Sequence, residues 1–174
     1  MLAVGDHAPD FEFDEGQGKV TLRECLANGP VVLYFYPADF TPVCTKEACM
    51  FRDLHGELVA AGIRVIGVSP QDEQSHEKFK AKHSLPFTLV ADPQRSIIKA
   101  YGVGGMFGLP LPFGARRVTY LIATDGRIAD RATGEFGVDA HARFAARALA
   151  VAAPRDTGTA VLGSGTDSGL GRRG

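Results

Sequence analysis

Six consecutive apolar residues, Val31-Val32-Leu33-Tyr34-Phe35-Tyr36, stop at Pro37. An unbroken run of β-branched and aromatic residues reads as a strand, and the lack of alternation means that both its faces are covered. A sheet buried on both sides needs helices on each face. The flanking chain offers them. Residues 41–61 carry Ala48, Phe51, Leu54 and Leu58 at helical spacing and are closed by Gly62. Residues 63–68 then read as a second buried strand, 72–83 as a polar helix and 87–91 as a short strand. Pro93 reads as the opening of a further helix that reaches Tyr101. Residues 117–123 and 127–132 form two more strands joined through Asp125-Gly126, a hairpin signal, and Asp139 caps a last helix over 140–152. Phe11-Glu12-Phe13 and residues 19–22 read as extended. This order predicts an α/β domain: a parallel unit joined to an antiparallel one in a central mixed sheet, with helices on both faces.

A chain of 174 residues fits one domain. Residues 1–153 are expected to form it, and 154–174, rich in Gly, Ser and Thr with little to bury, a flexible tail. Residues 102–115 are a Gly/Pro-rich apolar loop without period. A net charge of -1 gives no reason to expect nucleic acid or an anionic membrane as partner. No apolar run is long enough to span a bilayer, and Met1-Leu2-Ala3-Val4-Gly5-Asp6-His7 lacks the form of a signal peptide. A cytoplasmic enzyme is the expectation.

Three cysteines, Cys25, Cys44 and Cys49, are too few and too odd in number for a secreted disulfide scaffold. Zinc needs about four ligands, and one C-x4-C pair without a nearby histidine does not supply them, so no metal and no cofactor are expected. Inert core thiols and redox chemistry remain. Thr41 suits the N-cap of the helix and Pro42 its first position, which puts Cys44 in the first turn. There it meets unpaired backbone N–H groups and the positive end of the helix dipole. Only the thiolate attacks, and an unperturbed cysteine is only about 3% ionised at neutral pH. Such a site also wants an arginine, which has to come from another element.

Pro37-x-x-x-Thr41-x-x-Cys44, continued by Thr45-x-Glu47, resembles the P-x-x-x-T/S-x-x-C signature of peroxiredoxins. Cys49, five residues on, is similar to the second cysteine of the bacterioferritin-comigratory or Q-type subfamily, and Arg117-Val118-Thr119-Tyr120-Leu121-Ile122 resembles the family's R-x-S/T-F/Y-L-I strand. The resemblance covers roughly residues 3–150; Val43 departs from the glycine often found there. It implies a thioredoxin-like fold and a thiol-dependent peroxidase. In that scheme Cys44 is the peroxidatic nucleophile that becomes a sulfenic acid, and Cys49 is the resolving thiol that forms an intramolecular disulfide with it. Thr41 positions the peroxide, Arg117 stabilises the thiolate, Pro37 shields the pocket and Glu47 orients the arginine. The implied partners are a peroxide and thioredoxin or a similar dithiol reductant, with the chain a monomer or weak homodimer.

The neighbours of these residues have plainer readings. Cys25 fits a structural thiol. Arg116 rivals Arg117, but adjacent strand residues face opposite ways, so only one can reach the site. Cys49 falls on the polar side of its helix with Arg52, Asp53 and Gly56. The five histidines are scattered in polar contexts, and none pairs with a cysteine. A thioredoxin-like reductase would want C-x-x-C rather than C-x4-C. A peroxide sensor that relays oxidation without efficient turnover is the alternative function.

Overall fold

The computed structural model describes residues 1–16, 18–105, 114–134 and 136–152. The expected tail and most of the apolar loop, residues 106–113, lie outside the described residues. In chain order the elements are β1 (Glu12–Asp14), β2 (Lys19–Thr21), α1 (Leu22–Leu26), β3 (Val31–Phe35), α2 (Pro42–Ala60) and β4 (Arg64–Ser69). There follow α3 (Glu73–His83), β5 (Thr88–Ala91), α4 (Ser96–Ala100), β6 (Val118–Ile122), β7 (Ile128–Thr133) and α5 (Asp139–Ala152).

The apolar run is the middle strand of a five-stranded sheet of order β5-β4-β3-β6-β7. It pairs in parallel with β4 and antiparallel with β6, and all five of its residues are buried. Alternation sends Val31, Leu33 and Phe35 into a core with Leu22 of α1 and Ile98 of α4. Val32, Tyr34 and the following Tyr36 enter the opposite core with Phe51 of α2, Phe79 of α3 and Phe144 of α5. The mixed sheet with helices on both faces is as expected, and it is the thioredoxin-like layout. The turn after β6 also matches: Gly126 adopts φ 81° and its N–H bonds the Ala123 carbonyl at 2.8 Å.

Three local readings need correction. Leu22 ends no strand: Thr21 and Glu24 form a reciprocal capping box that starts α1 there. Pro93 does not open α4. The buried Asp92 carboxylate accepts from the N–H groups of Ser96 and Ile98 at 2.8 and 2.9 Å, which sets the helix start at Ser96. Asp139 lies inside the first turn of α5, since the Ala142 N–H bonds the Val138 carbonyl.

Two features hold the loop between β3 and α2. The first is an aromatic layer: the Tyr34 ring lies 5.3 Å from Tyr36 and 5.0 Å from Phe51, centre to centre. Gly67, paired with Tyr34 across the sheet, leaves room for that ring; a Cβ there would stand 2.6 Å from Tyr34 Cζ. The second is Asp39, buried in the loop. Its carboxylate accepts from the Tyr36 hydroxyl at 2.8 Å and the Ser75 hydroxyl at 2.6 Å, with His76 Nδ1 at 2.8 Å. The next residue, Phe40, takes a left-handed φ of 60° and sets its ring 5.2 Å from that of Phe79. For a bulky residue that backbone costs about 1–2 kcal/mol, so the contacts with α3 must hold it.

Burial pushes the Asp39 carboxyl up, but hydrogen bonds from His76, Ser75 and Tyr36 outweigh this and hold it below its ordinary range. A depressed carboxyl contributes stability that is complete above the unfolded value of about 3.9 and is lost as pH falls through the folded one. Asp39→Asn should therefore destabilise the chain by roughly 1–3 kcal/mol at neutral pH, and the gap to the parent should close in acid. Chemical denaturation across pH tests this; a gap that does not change with pH would contradict it.

Candidate active site

The active-site helix begins where the loop ends. Thr41 has extended backbone angles at the N-cap and Pro42 takes the first helical place, as the sequence suggests. The Thr41 hydroxyl, however, caps nothing: it donates to the Ala38 carbonyl at 3.2 Å. Cys44 sits in the first turn, 1% exposed, against the aromatic layer. The first backbone N–H groups of a helix have no partner within it, so the sulfur lies at the positive end of α2.

Arg117 arrives from the start of β6. Its Nη2 donates to the Cys44 sulfur at 3.1 Å, and its Nη1 pairs with Glu47, one helical turn beyond the cysteine. Both charged side chains are buried, at 3% and 0% exposure. Burial alone would lower the Arg117 pKa, but the charges of Glu47 and Cys44 outweigh it and raise it, so the guanidinium stays charged. Arg116 is less buried, and its backbone N–H bonds the Val103 carbonyl. Of the two candidates, the structure brings Arg117 to the sulfur.

Cys49 is partly exposed further along α2, and neither it nor Cys44 is in a disulfide. Pro37 is half-buried in the loop, next after Tyr36. Cys25 lies in the core on the other side of the sheet, accepting from Arg64 Nη1 at 3.2 Å. Burial pushes its thiol pKa up, with the charge of Arg64 opposing. Among the described residues, no group of three or more His, Cys, Asp or Glu side chains is placed to hold a metal ion.

The histidines correct the sequence reading. His76 and His141, in polar stretches of sequence, are nonetheless buried at 3% and 0% exposure. His141 Nδ1 lies 2.7 Å from Thr119 Oγ1 and 3.3 Å from Glu47 Oε1, while Nε2 faces the Gly134 carbonyl at 3.4 Å. Burial takes its pKa down to about 4, opposed by the bond to the Gly134 carbonyl and helped by the Arg117 charge. One sign was visible beforehand: positions 141, 144, 145 and 148 fall on a single stripe of α5, and the other three are Phe144, Ala145 and Ala148 of the core.

A family model described as the AhpC/TSA family matches residues 4–131. Peroxiredoxin Bcp of Bacillus subtilis is 39% identical over 130 residues, covering 73% of this chain and 82% of its own. The crystal structure of peroxidoxin BcpB from Mycobacterium tuberculosis superposes with a TM-score of 0.77 at 36% identity, over 87% of this chain and 98% of that one. A cysteine-to-serine mutant of Xylella fastidiosa PrxQ superposes with a TM-score of 0.76 at 29% identity, over 88% and 99%. With a buried Cys44 and Arg117 at the head of α2 in the same layout, this chain belongs to the AhpC/TSA family, among the peroxiredoxins of the Bcp and peroxiredoxin Q kind.

Proposed function

We propose that the chain reduces hydrogen peroxide and organic hydroperoxides at Cys44 and is recycled through a Cys44–Cys49 disulfide by thioredoxin or a similar dithiol. The observation that carries this is the 3.1 Å contact between Arg117 Nη2 and the Cys44 sulfur, both buried, at a helix start. The thiolate attacks one peroxide oxygen. An S–O bond forms as the O–O bond breaks, and the departing oxygen takes a proton and leaves as water or an alcohol. Sulfur is oxidised by two electrons to the sulfenic acid, and the peroxide is reduced by two.

Each neighbour has a physical task. Arg117 faces both the sulfur charge and the charge that develops on the leaving oxygen, and in a dry site such a donor is worth far more than in water. Glu47 keeps the guanidinium in line. The Thr41 hydroxyl has its proton on Ala38, which leaves its lone pairs to accept from the peroxide O–H. Pro37 closes the loop side of the pocket and brings no N–H of its own.

Resolution requires more movement. Residues five apart in an intact helix have Cα atoms about 8.6 Å apart on opposed sides. A disulfide needs roughly 4.4–6.8 Å, so α2 must open at its first turns before Cys49 can reach the sulfenic acid. The new S–S bond then forms with loss of water, and thiol–disulfide exchange with a dithiol restores both thiols.

Cys44→Ser should abolish peroxide consumption, while Cys25→Ser retains most of it. Arg117→Ala should slow the first turnover roughly a hundredfold and Arg116→Ala far less; a larger effect from Arg116 would refute the assignment. Turnover at catalytic protein with a thioredoxin system present supports the enzyme, whereas a single equivalent consumed would favour the sensor reading.

Cys49→Ser should destroy about one peroxide per chain and then accumulate overoxidised Cys44. Amide exchange across residues 42–52 should be slow in the reduced form and fast in the disulfide form. Equal protection in both states would exclude the unwinding step.

A further inference from the structure

The stretch of α2 that carries both cysteines lies between two points fixed on the same neighbour, α3. Before it, the Asp39 carboxylate bonds the Ser75 hydroxyl and His76 near the start of α3, and Phe40 rests on Phe79. After it, Arg52 Nη1 donates to the His83 carbonyl at the far end of α3, at 3.0 Å. That carbonyl is among the last of the helix, which have no partner within it. Ser84 ends α3 in a left-handed turn, and its N–H and that of Leu85 both go to the Lys80 carbonyl. The bond from Arg52 thus supplies what the helix end cannot, and a cation suits the negative end of the helix dipole. The guanidinium is only 34% exposed, and its Nε donates to Asp53 Oδ1 at 2.9 Å. Phe51 beside it is 0% exposed, with its ring against Tyr34.

We propose that α3 is a splint for the resolving step, with Arg52 the positioning residue that stops α2 from opening beyond Cys49. This rests on the proposed Cys44–Cys49 disulfide and says how far the helix opens to form it.

Tethering explains what the stop achieves. The anchors His76 and His83 are about 10 Å apart along the axis of α3. Residues 42–50 would extend to about 30 Å once unwound, so a chain held at both ends has to double back. Doubling back brings the two thiols toward each other. Without Arg52 the loosening would run on down α2, where residues 56, 57, 59 and 60 are exposed, and Cys49 would lose its fixed end.

Amide exchange on the unsubstituted chain is the first measurement. Amides from His55 onward bond carbonyls from Phe51 onward, so they keep their partners when only the turns before Phe51 open. Exchange over residues 55–60 should therefore be as slow in the disulfide form as in the reduced one. Fast exchange running through residue 60 in the disulfide form overturns the proposal. The second measurement separates resolution from peroxide attack. Arg52→Met keeps the apolar stem and removes the donor; it should oxidise Cys44 as fast as the parent but form the disulfide roughly tenfold more slowly. Overoxidised Cys44 should rise in step. Arg52→Lys should recover most of the rate, since the carbonyl takes a single bond that an ammonium can supply. A parental rate of disulfide formation in Arg52→Met, equal loss in Arg52→Lys, or equal slowing of both steps overturns the proposal. Should Arg52→Met not fold, the exchange pattern of the unsubstituted chain still decides. A parent that forms no Cys44–Cys49 disulfide refutes the proposed function itself, a different failure from a disulfide formed on a fully opened helix.

Discussion

Arg117 and Glu47 form an ion pair with side chains 3% and 0% exposed. Stranding either charge alone in that interior would cost several kcal/mol, so the fold has to bring both to one place together. Much of the architecture does so. β6 lies against the central strand and carries Arg117 at its start, while α2 packs on the same face and presents Glu47 one turn after Cys44. The sulfur completes the arrangement as a third polar partner. The pair is thus a structural commitment and, under the proposed function, a catalytic one at once.

A second set of contacts works on the loop rather than on the sulfur. Asp39, Tyr36, Ser75 and His76 tie the segment after β3 to α3, and the left-handed Phe40 leans on Phe79 of the same helix. These contacts fix where α2 starts, whereas the Arg117 network fixes what its first turn faces. Opening of that turn need not disturb the loop anchor, because the two sets share no side chain. Under the proposed function, the local unfolding can therefore be confined to the stretch between the two cysteines.

The central strand and the cysteine at the helix start were legible because each rests on local pattern: an apolar run, and a helix start marked by threonine and proline. Alternation said that one of Arg116 and Arg117 faces the site, and only the resemblance chose Arg117. What was not legible depends on distant partners. Glu47 and Arg117, 70 positions apart, were paired only through the resemblance, and Asp39 and His76, 37 apart, not at all. Phe79, one turn on, is the one apolar neighbour of His76 on the otherwise polar α3, and the partners that hold His76 inside, Asp39, Tyr36 and the Val90 carbonyl, lie across the fold. His141 left a trace in the stripe of α5, yet its neighbour Glu47 was read for the arginine alone. The start of α4 failed for a similar reason: Pro93 is a fair first residue of a helix, but the carboxylate just before it set the boundary later.

The sheet also separates the thiols. Cys44 faces the α2 side and Cys25 the α1 side, with the fully buried β3 in the layer between them. A chain with three thiols and an oxidant at one of them risks joining the wrong two. Here the wall of side chains on both faces of β3 bars a sulfenic acid at Cys44 from meeting Cys25 while the domain is folded. Under the proposed function, the burial that first identified the strand is a partition for oxidation, with the loosening of one helix as the route by which sulfur finds sulfur.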